Sequence, residues 1–300
     1  MSGDSRGESG HQALSSPVDS KEQATSHASA QAKVLRILVV GVTGSGKSTF
    51  IASASGRDVG IGHGADSCTK VCKVYPTQYN IGGVKLELID TPGFDDPHRD
   101  DYEVLKDITK VLRGVSGVIY CHRINDTRLI GNSRLNLEIL KAMCGMRFYS
   151  RVVICSTMWN TFPQNITQQK LEVHRGRMEE LLGTGFRDLM DKGARYMEFH
   201  ADRRDPCLDI LRSFLSQRFP PEMAIMEELS ERYTMPETRP GLVIKEHRRG
   251  AMEGRSQDQA SAKIRKQQQD NNYDERDHGQ KEGSSLKKNV QKNLQRVFGT

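Results

Sequence analysis

Residues Gly41 to Thr49 read GVTGSGKST and follow directly on the apolar run Val34 to Val40, a junction that constrains the fold more than any other feature of the chain. A buried strand that delivers the backbone into a glycine-rich turn, and then a helix, lines up N–H groups in a concave row that holds phosphate oxygens. Gly41, Gly44 and Gly46 permit the tight turn and close approach, while Val42, Thr43 and Ser45 complete the loop. The helix expected from Lys47 points its positive dipole end at the same anion. Lys47 is placed to reach the β and γ phosphates, and the Ser48 hydroxyl to take one position on Mg²⁺. Thr49 then faces the helix interior. A nucleoside triphosphate is the predicted ligand.

A second motif narrows the choice between a switch protein and a small-molecule kinase. Val84 to Asp90 alternates apolar and polar residues and runs into Thr91-Pro92-Gly93. An aspartate at such a strand end serves Mg²⁺, and Gly93 can offer its N–H to the γ phosphate without side-chain obstruction. Losing that phosphate would release the glycine, which turns a nucleotide state into a loop conformation. Between the motifs lies Ser53 to Lys70, rich in glycine and ending in Ser67-Cys68-Thr69-Lys70. Thr69 is a candidate for Mg²⁺ through its hydroxyl, although a solvent-exposed loop threonine would read the same. Lys47, Thr69 and Gly93 are the candidate catalytic groups, and Ser48, Thr69 and Asp90 the candidate metal ligands.

The remaining pattern predicts an α/β fold of the P-loop NTPase (G domain) type, a mostly parallel sheet with helices on both faces. Strands are expected near Val34 to Val40, Lys73 to Tyr79, Val84 to Asp90, Gly117 to His122, Arg151 to Ser156 and Arg195 to His200. Helices are expected near Lys47 to Ala54, Tyr102 to Arg113, Leu135 to Cys144, Gln168 to Leu182 and Asp205 to Phe219. The organisation read from this is a disordered arm over 1–33, a nucleotide-binding domain over 34–221, and a helical extension and basic tail over 222–300. The arm has too few large apolar side chains to offset ordering entropy. Glu222 to Tyr233 reads as one more helix, interrupted by Pro236 and Pro240.

Charge is a property of the tail. Residues 245–300 hold thirteen Lys and Arg against eight Asp and Glu, a difference of +5 within a formal net charge of +6 for the chain. Gln257 to Asp277 is too polar for a core and reads as disordered or as a solvated helix. Leu286, Val290, Leu294, Val297 and Phe298 recur at helical spacing among basic residues, which suits an anionic membrane surface, a partner helix or a frayed tail. No base-reading motif points to nucleic acid. The six cysteines form no CxxC pair, so they read as reduced thiols of a cytoplasmic protein. No apolar run reaches the roughly 18 residues of a membrane span.

The sequence resembles the septin-like branch of GTPases that includes the immune-associated (avirulence-induced) and chloroplast outer-envelope import GTPases, with likeness to fungal relatives. The resemblance rests on GVTGSGKST, on Ser67 to Lys70, on LELIDTPGFDD from Leu86 to Asp96, on Tyr120 to Asp126 and on Cys155 to Asn160, and covers about Leu35 to Pro220. It implies GTP and GDP as ligands with Mg²⁺, slow hydrolysis, a switch role, and pairing of two copies through the nucleotide face. It makes Thr157 and Asn160 the candidate base contacts, with His200 either a further one or a plain strand-end histidine, and Met158 and Trp159 either stacking on the purine or packing beneath the loop. Two departures stand out. Where the families carry an aspartate that accepts two guanine bonds, this chain has Asn160, whose amide has one acceptor oxygen. Where Ras-like enzymes place a water-orienting glutamine, it has Phe94. Arg99, Arg123 and Arg128 lie in segments that can reach the nucleotide face. The alternatives are a non-hydrolysing nucleotide-binding assembly or scaffold protein, and a purine-nonselective P-loop NTPase; a small-molecule kinase is disfavoured by Asp-Thr-Pro-Gly.

Overall fold

The computed structural model describes residues 34–57, 59, 71–94, 99–163, 165–215 and 220–254, together with 263, 265, 266 and 287–289. Six strands form one sheet: β1 (Val34–Val40), β2 (Lys73–Ile81), β3 (Val84–Asp90), β4 (Val115–Arg123), β5 (Val152–Thr157) and β6 (Arg195–Glu198). Their order is β2-β3-β1-β4-β5-β6, and only β2 runs antiparallel, against β3. The near-continuous apolar runs of β1, β4 and β5 follow from burial on both faces. Along β1, Ile37 and Val39 enter one core with Phe50, Ile51 and Leu211, whereas Leu38 and Val40 enter the other with Leu105, Ile108 and Leu140.

The edge strand β2 is half exposed and tolerates Pro76, because an edge residue has a free N–H side. It runs two residues past the expected Tyr79, into a turn at Gly82 and Gly83 with φ of 62° and 75°. Positive φ at both turn positions matches the twist of a two-residue hairpin, so the register is fixed there.

The helices are α1 (Lys47–Ser55), α2 (Asp101–Thr109), α3 (Asn132–Cys144), α4 (Gln168–Gly183), α5 (Arg187–Met190), α6 (Leu208–Arg212) and α7 (Ala224–Ser230). The helix expected over Asp205 to Phe219 is shorter than its apolar pattern suggested, and residues 216–219 lie outside the described set.

The core continues past Pro221. Met223 and Ile225 are buried, and Ala224 packs so closely on Gly145 that a Cβ there would stand 2.6 Å from the Ala224 Cβ. A further helix, α8, covers residues 239–254, where the sequence pattern had suggested a break at Pro240. The proline lies in the first turn, whose N–H groups have no intrahelical partner, so its missing donor costs nothing. Thr238 caps the turn, its hydroxyl accepting from Gly241 N at 3.2 Å. Ile244 of α8 is fully buried. Arg248 pairs with Asp100 at 2.8 Å and lies 4.7 Å over the Tyr102 ring, and the Tyr102 hydroxyl donates to the Gly241 carbonyl at 3.2 Å. These contacts dock α8 on the start of α2.

The expected arm over 1–33 and most of the basic tail, including Leu286 and Val290 to Phe298, lie outside the described residues. Among the described residues no helix is long and apolar enough to cross a membrane.

Candidate functional site

The turn between β1 and α1 is built as its glycines require. Gly41, Gly44 and Gly46 have φ of 145°, 73° and 86°, values that residues with a Cβ rarely adopt. At Gly41 the reason is also packing, since a Cβ would stand 2.5 Å from the Cys121 carbonyl oxygen of β4. Ser45 N donates to Val42 O at 3.1 Å and Phe50 N to Gly46 O at 2.9 Å, which close the loop and open the helix. The first turn of α1 carries no acidic side chain, so nothing opposes an anion at its N-terminus.

Lys47 is buried, and its ammonium donates to the carbonyl oxygens of Gly41 at 2.9 Å and Val42 at 3.0 Å. The side chain therefore curls back over the mouth of the loop. Ser48, half-buried, follows in the first turn of α1, and Thr49 is also half-buried.

Asp90 ends β3 beside the loop, in register with Val39 of β1 and 2% exposed. The next residue holds it there, because the Thr91 hydroxyl donates to Val39 O at 2.8 Å. Ser48 and Asp90 thus come from adjacent elements at one end of the sheet. A hydroxyl and a carboxylate, completed by phosphate oxygens and water, suit the hard octahedral preference of Mg²⁺. Among the described residues no group of three or more His, Cys, Asp or Glu could hold a metal. Gly93 is buried near the same end, and Phe94 behind it is packed into the apolar core at 8% exposure. Thr69, the remaining metal candidate, lies outside the described residues.

The segment expected to meet the base follows β5. The sequence offered Thr157 as a nucleotide contact, but its hydroxyl donates to Ser45 O at 2.8 Å and lies 3.2 Å from His122 O, fully inside the protein. It braces the phosphate loop from below. Trp159 is packed beneath its own loop, with Nε1 donating to the Ser156 hydroxyl at 3.0 Å. Its ring has two partners, the Arg175 guanidinium at 5.3 Å and the His200 ring stacked at 5.1 Å. Glu198 joins those partners, 3.3 Å from Arg175 Nε and 2.7 Å from His200 Nε2. At 7% exposure the indole is packed beneath the loop and offers a purine no open face. Met158 takes φ of 65° and Asn160 is exposed, so these two remain at the surface of the loop.

Of the three arginines offered for the nucleotide face, Arg99 pairs with Asp107 of α2 at 2.7 Å and Arg128 is exposed on the segment between β4 and α3. Arg123 ends β4 and stands over the phosphate loop, with Nη1 3.8 Å from where a Gly44 Cβ would be. The roles of Thr157, Arg175 and Glu198 had no local sign in the sequence, since each depends on side-chain direction across the sheet.

A phosphate loop, an aspartate-to-glycine strand end and a third loop, all at the carboxyl edge of a mostly parallel sheet, define the G-domain fold of P-loop GTPases. Residues 35–182 match the model of the AIG1 family, and the chain carries an AIG1 family domain over that span. It is 31% identical over 134 residues to immune-associated nucleotide-binding protein 3 of Arabidopsis thaliana, covering 43% of this chain and 40% of that protein. It is 28% identical over 130 residues to GTP-binding protein A of Dictyostelium discoideum, covering 42% and 28%. The matched part spans well under half of those relatives' length. Among solved structures, one of the chloroplast translocon components atToc33 and psToc159 superposes with a TM-score of 0.50 at 16% identity, over 63% of this chain and 86% of that one. That likeness concerns the fold alone.

Proposed function

We propose that the chain is a Mg²⁺-dependent GTP-binding protein that hydrolyses GTP slowly and acts as a nucleotide-controlled switch through pairing of two copies across the nucleotide face. The observation that carries this is the loop around Lys47, with its three positive-φ glycines and an ammonium held at the mouth by the Gly41 and Val42 carbonyls. Phosphate oxygens would replace those carbonyls as partners of Lys47, while the N–H groups of residues 41–49 hold the remaining charge. Ser48 and Asp90 would hold Mg²⁺, with Thr69 as the further candidate, and the ion would neutralise charge on the β and γ oxygens. Gly93 would offer its N–H to the γ phosphate. Hydrolysis is attack of water on the γ phosphorus with the bond to the GDP oxygen breaking.

Slow turnover follows from Phe94. Its ring is part of the core, so the position after Gly93 has no polar group to orient water. The same fact favours the second reading, a nucleotide-binding assembly or scaffold protein that hydrolyses negligibly. Single-turnover hydrolysis measured over a range of protein concentrations separates the two: a rate that rises with concentration supports the paired switch, and a rate at the level of free GTP supports the scaffold.

Base choice is tested by dissociation constants for labelled GTP and ATP analogues with Mg²⁺, on wild type and Asn160→Asp. GTP binding at least about tenfold tighter than ATP, a difference of about 1.4 kcal/mol, is the expected result. Equal binding that becomes GTP-selective in Asn160→Asp would leave a purine-nonselective P-loop NTPase. We place the protein in the cytoplasm, with the basic tail as a peripheral contact to a membrane or a partner helix. What supports the location is the set of free thiols at Cys72, Cys121, Cys144, Cys155 and Cys207.

A further inference from the structure

We infer that Arg123 is a phosphate-contacting residue acting within its own chain, and that Asp126 positions it; the inference rests on the proposal that the loop binds a nucleotide. Arg123 is the last residue of β4. That strand is in register with β1 up to Val40 and Tyr120, so Arg123 extends beyond the end of β1 and over the loop that begins at Gly41. The backbone around it is fixed on three sides. Arg123 lies in register with Thr157 of β5, Ile124 N donates to Thr157 O at 3.1 Å, and Asp126 N donates to Arg123 O at 2.9 Å. His122 Nε2 is 3.0 Å from Asp126 O, which pins the same turn from the core side.

The side chain is fixed at one end and open at the other. Nε donates to the Asp126 carboxylate at 2.8 Å. Nη1 then lies over Gly44, 3.8 Å from where a Cβ would stand. A guanidinium has five donors in a rigid fork, so one edge can be held by a carboxylate while the other addresses a phosphate oxygen. The Arg123 side chain is 40% exposed, so its outer edge is open to a ligand oxygen. Asp126 keeps the cation oriented before the nucleotide arrives, which lowers the ordering cost on binding. The site then holds two cations, Lys47 at the mouth of the loop and Arg123 beside Gly44. Both belong to the same copy.

The experiment measures dissociation constants for fluorescent GTP and GDP analogues, and the melting temperature of the nucleotide-free protein, for wild type, Arg123→Ala, Arg123→Lys and Asp126→Asn, with Arg134→Ala as an exposed α3 control. If wild type binds no nucleotide, the functional proposal fails and this one with it. If wild type binds, Arg123→Ala is expected to weaken both analogues by at least about tenfold, the size of one charge-assisted hydrogen bond. The loss should be independent of protein concentration, with the melting temperature of the empty protein within a degree or so of wild type. Arg123→Lys should recover part of the affinity, Asp126→Asn should lie between, and Arg134→Ala should match wild type. An Arg123→Ala protein that binds within twofold of wild type overturns the inference. So does a loss accompanied by a lower melting temperature and unrelieved by lysine, which would make Arg123 a brace of the loop, and so does a loss that appears only at concentrations where copies pair.

Discussion

The Thr157 hydroxyl donates to the Ser45 carbonyl at 2.8 Å, joining the end of β5 to the phosphate loop across 112 residues of sequence. The contact is dry, with Thr157 1% exposed. Thr157→Val keeps the shape and removes the donor, leaving the Ser45 carbonyl without that bond. The expected cost is about 1–3 kcal/mol in urea unfolding of the empty protein, together with weaker nucleotide binding because the loop loses its brace. Loss of stability without loss of affinity would mean that the loop holds its shape without Thr157.

Two neighbouring positions of the loop should respond in opposite directions. Gly41→Ala brings a Cβ to 2.5 Å from a backbone oxygen at φ of 145°, and neither strand can move away. A destabilisation above about 3 kcal/mol is expected, visible as a collapse in melting temperature. Ser45→Ala instead removes a hydroxyl that is buried with no hydrogen-bond partner among the described residues. Its stability should be unchanged or higher by up to about 1 kcal/mol, because an unpaired buried hydroxyl has already lost its water. Differential scanning fluorimetry of the two variants side by side checks both signs.

How much could be read in advance depended on whether a residue's role was local. Strands β1 and β3 were legible to the residue because an apolar run ends at a glycine loop in one case and at Asp90 in the other. The phosphate loop was legible because its geometry needs glycine at fixed spacing. Thr157 was legible as a position but not in its role, since nothing local says whether a threonine hydroxyl turns toward the ligand or toward Ser45. The burial of Trp159 needs Arg175 from α4 and His200 from beyond β6, two residues with no spacing relation to it. Helix α8 was hidden by Pro240 and by a surrounding sequence rich in charge. Its apolar side is narrow, and Arg248 is satisfied only through Asp100 and the Tyr102 ring, far away in the chain.

The cluster under the base-facing loop carries its own reporter. Trp159 is the single tryptophan of the chain, in contact with Arg175 and His200, and Glu198 ties both. Burial alone would raise the Glu198 carboxyl, but the bonds from His200 and Arg175 outweigh it and hold the group below the ordinary glutamate range. A depressed folded value means that the contribution to stability is complete above the ordinary range. It is lost as pH falls through the folded value. Tryptophan emission should therefore be flat from neutral pH down to the ordinary glutamate range and shift to the red below it, before global unfolding seen by circular dichroism. Glu198→Gln should show the shifted emission already at neutral pH. An emission curve that merely follows global unfolding in both proteins would show that Glu198 does not hold the stack.

The last prediction concerns where the packed unit ends. Ile244 is fully buried against the core that also takes in Val104, Leu105 and Ile108 of α2, whereas Leu242 on the same helix is about half exposed. Truncating a buried isoleucine removes its transfer free energy and leaves a cavity, so Ile244→Ala should cost about 2–5 kcal/mol. Leu242→Ala should cost less than about 0.5 kcal/mol, as a surface change on a helix does. If α8 is integral to the domain, urea unfolding of Ile244→Ala stays a single transition with the wild-type slope and a lower midpoint. If α8 detaches without consequence for the sheet, the two variants unfold alike, and a chain stopped after residue 238 is as stable as the full one. The docking of Arg248 on Asp100 and Tyr102 argues for the first outcome, because removing α8 would also uncover the Tyr102 ring and the start of α2, immediately downstream of Gly93 and its loop.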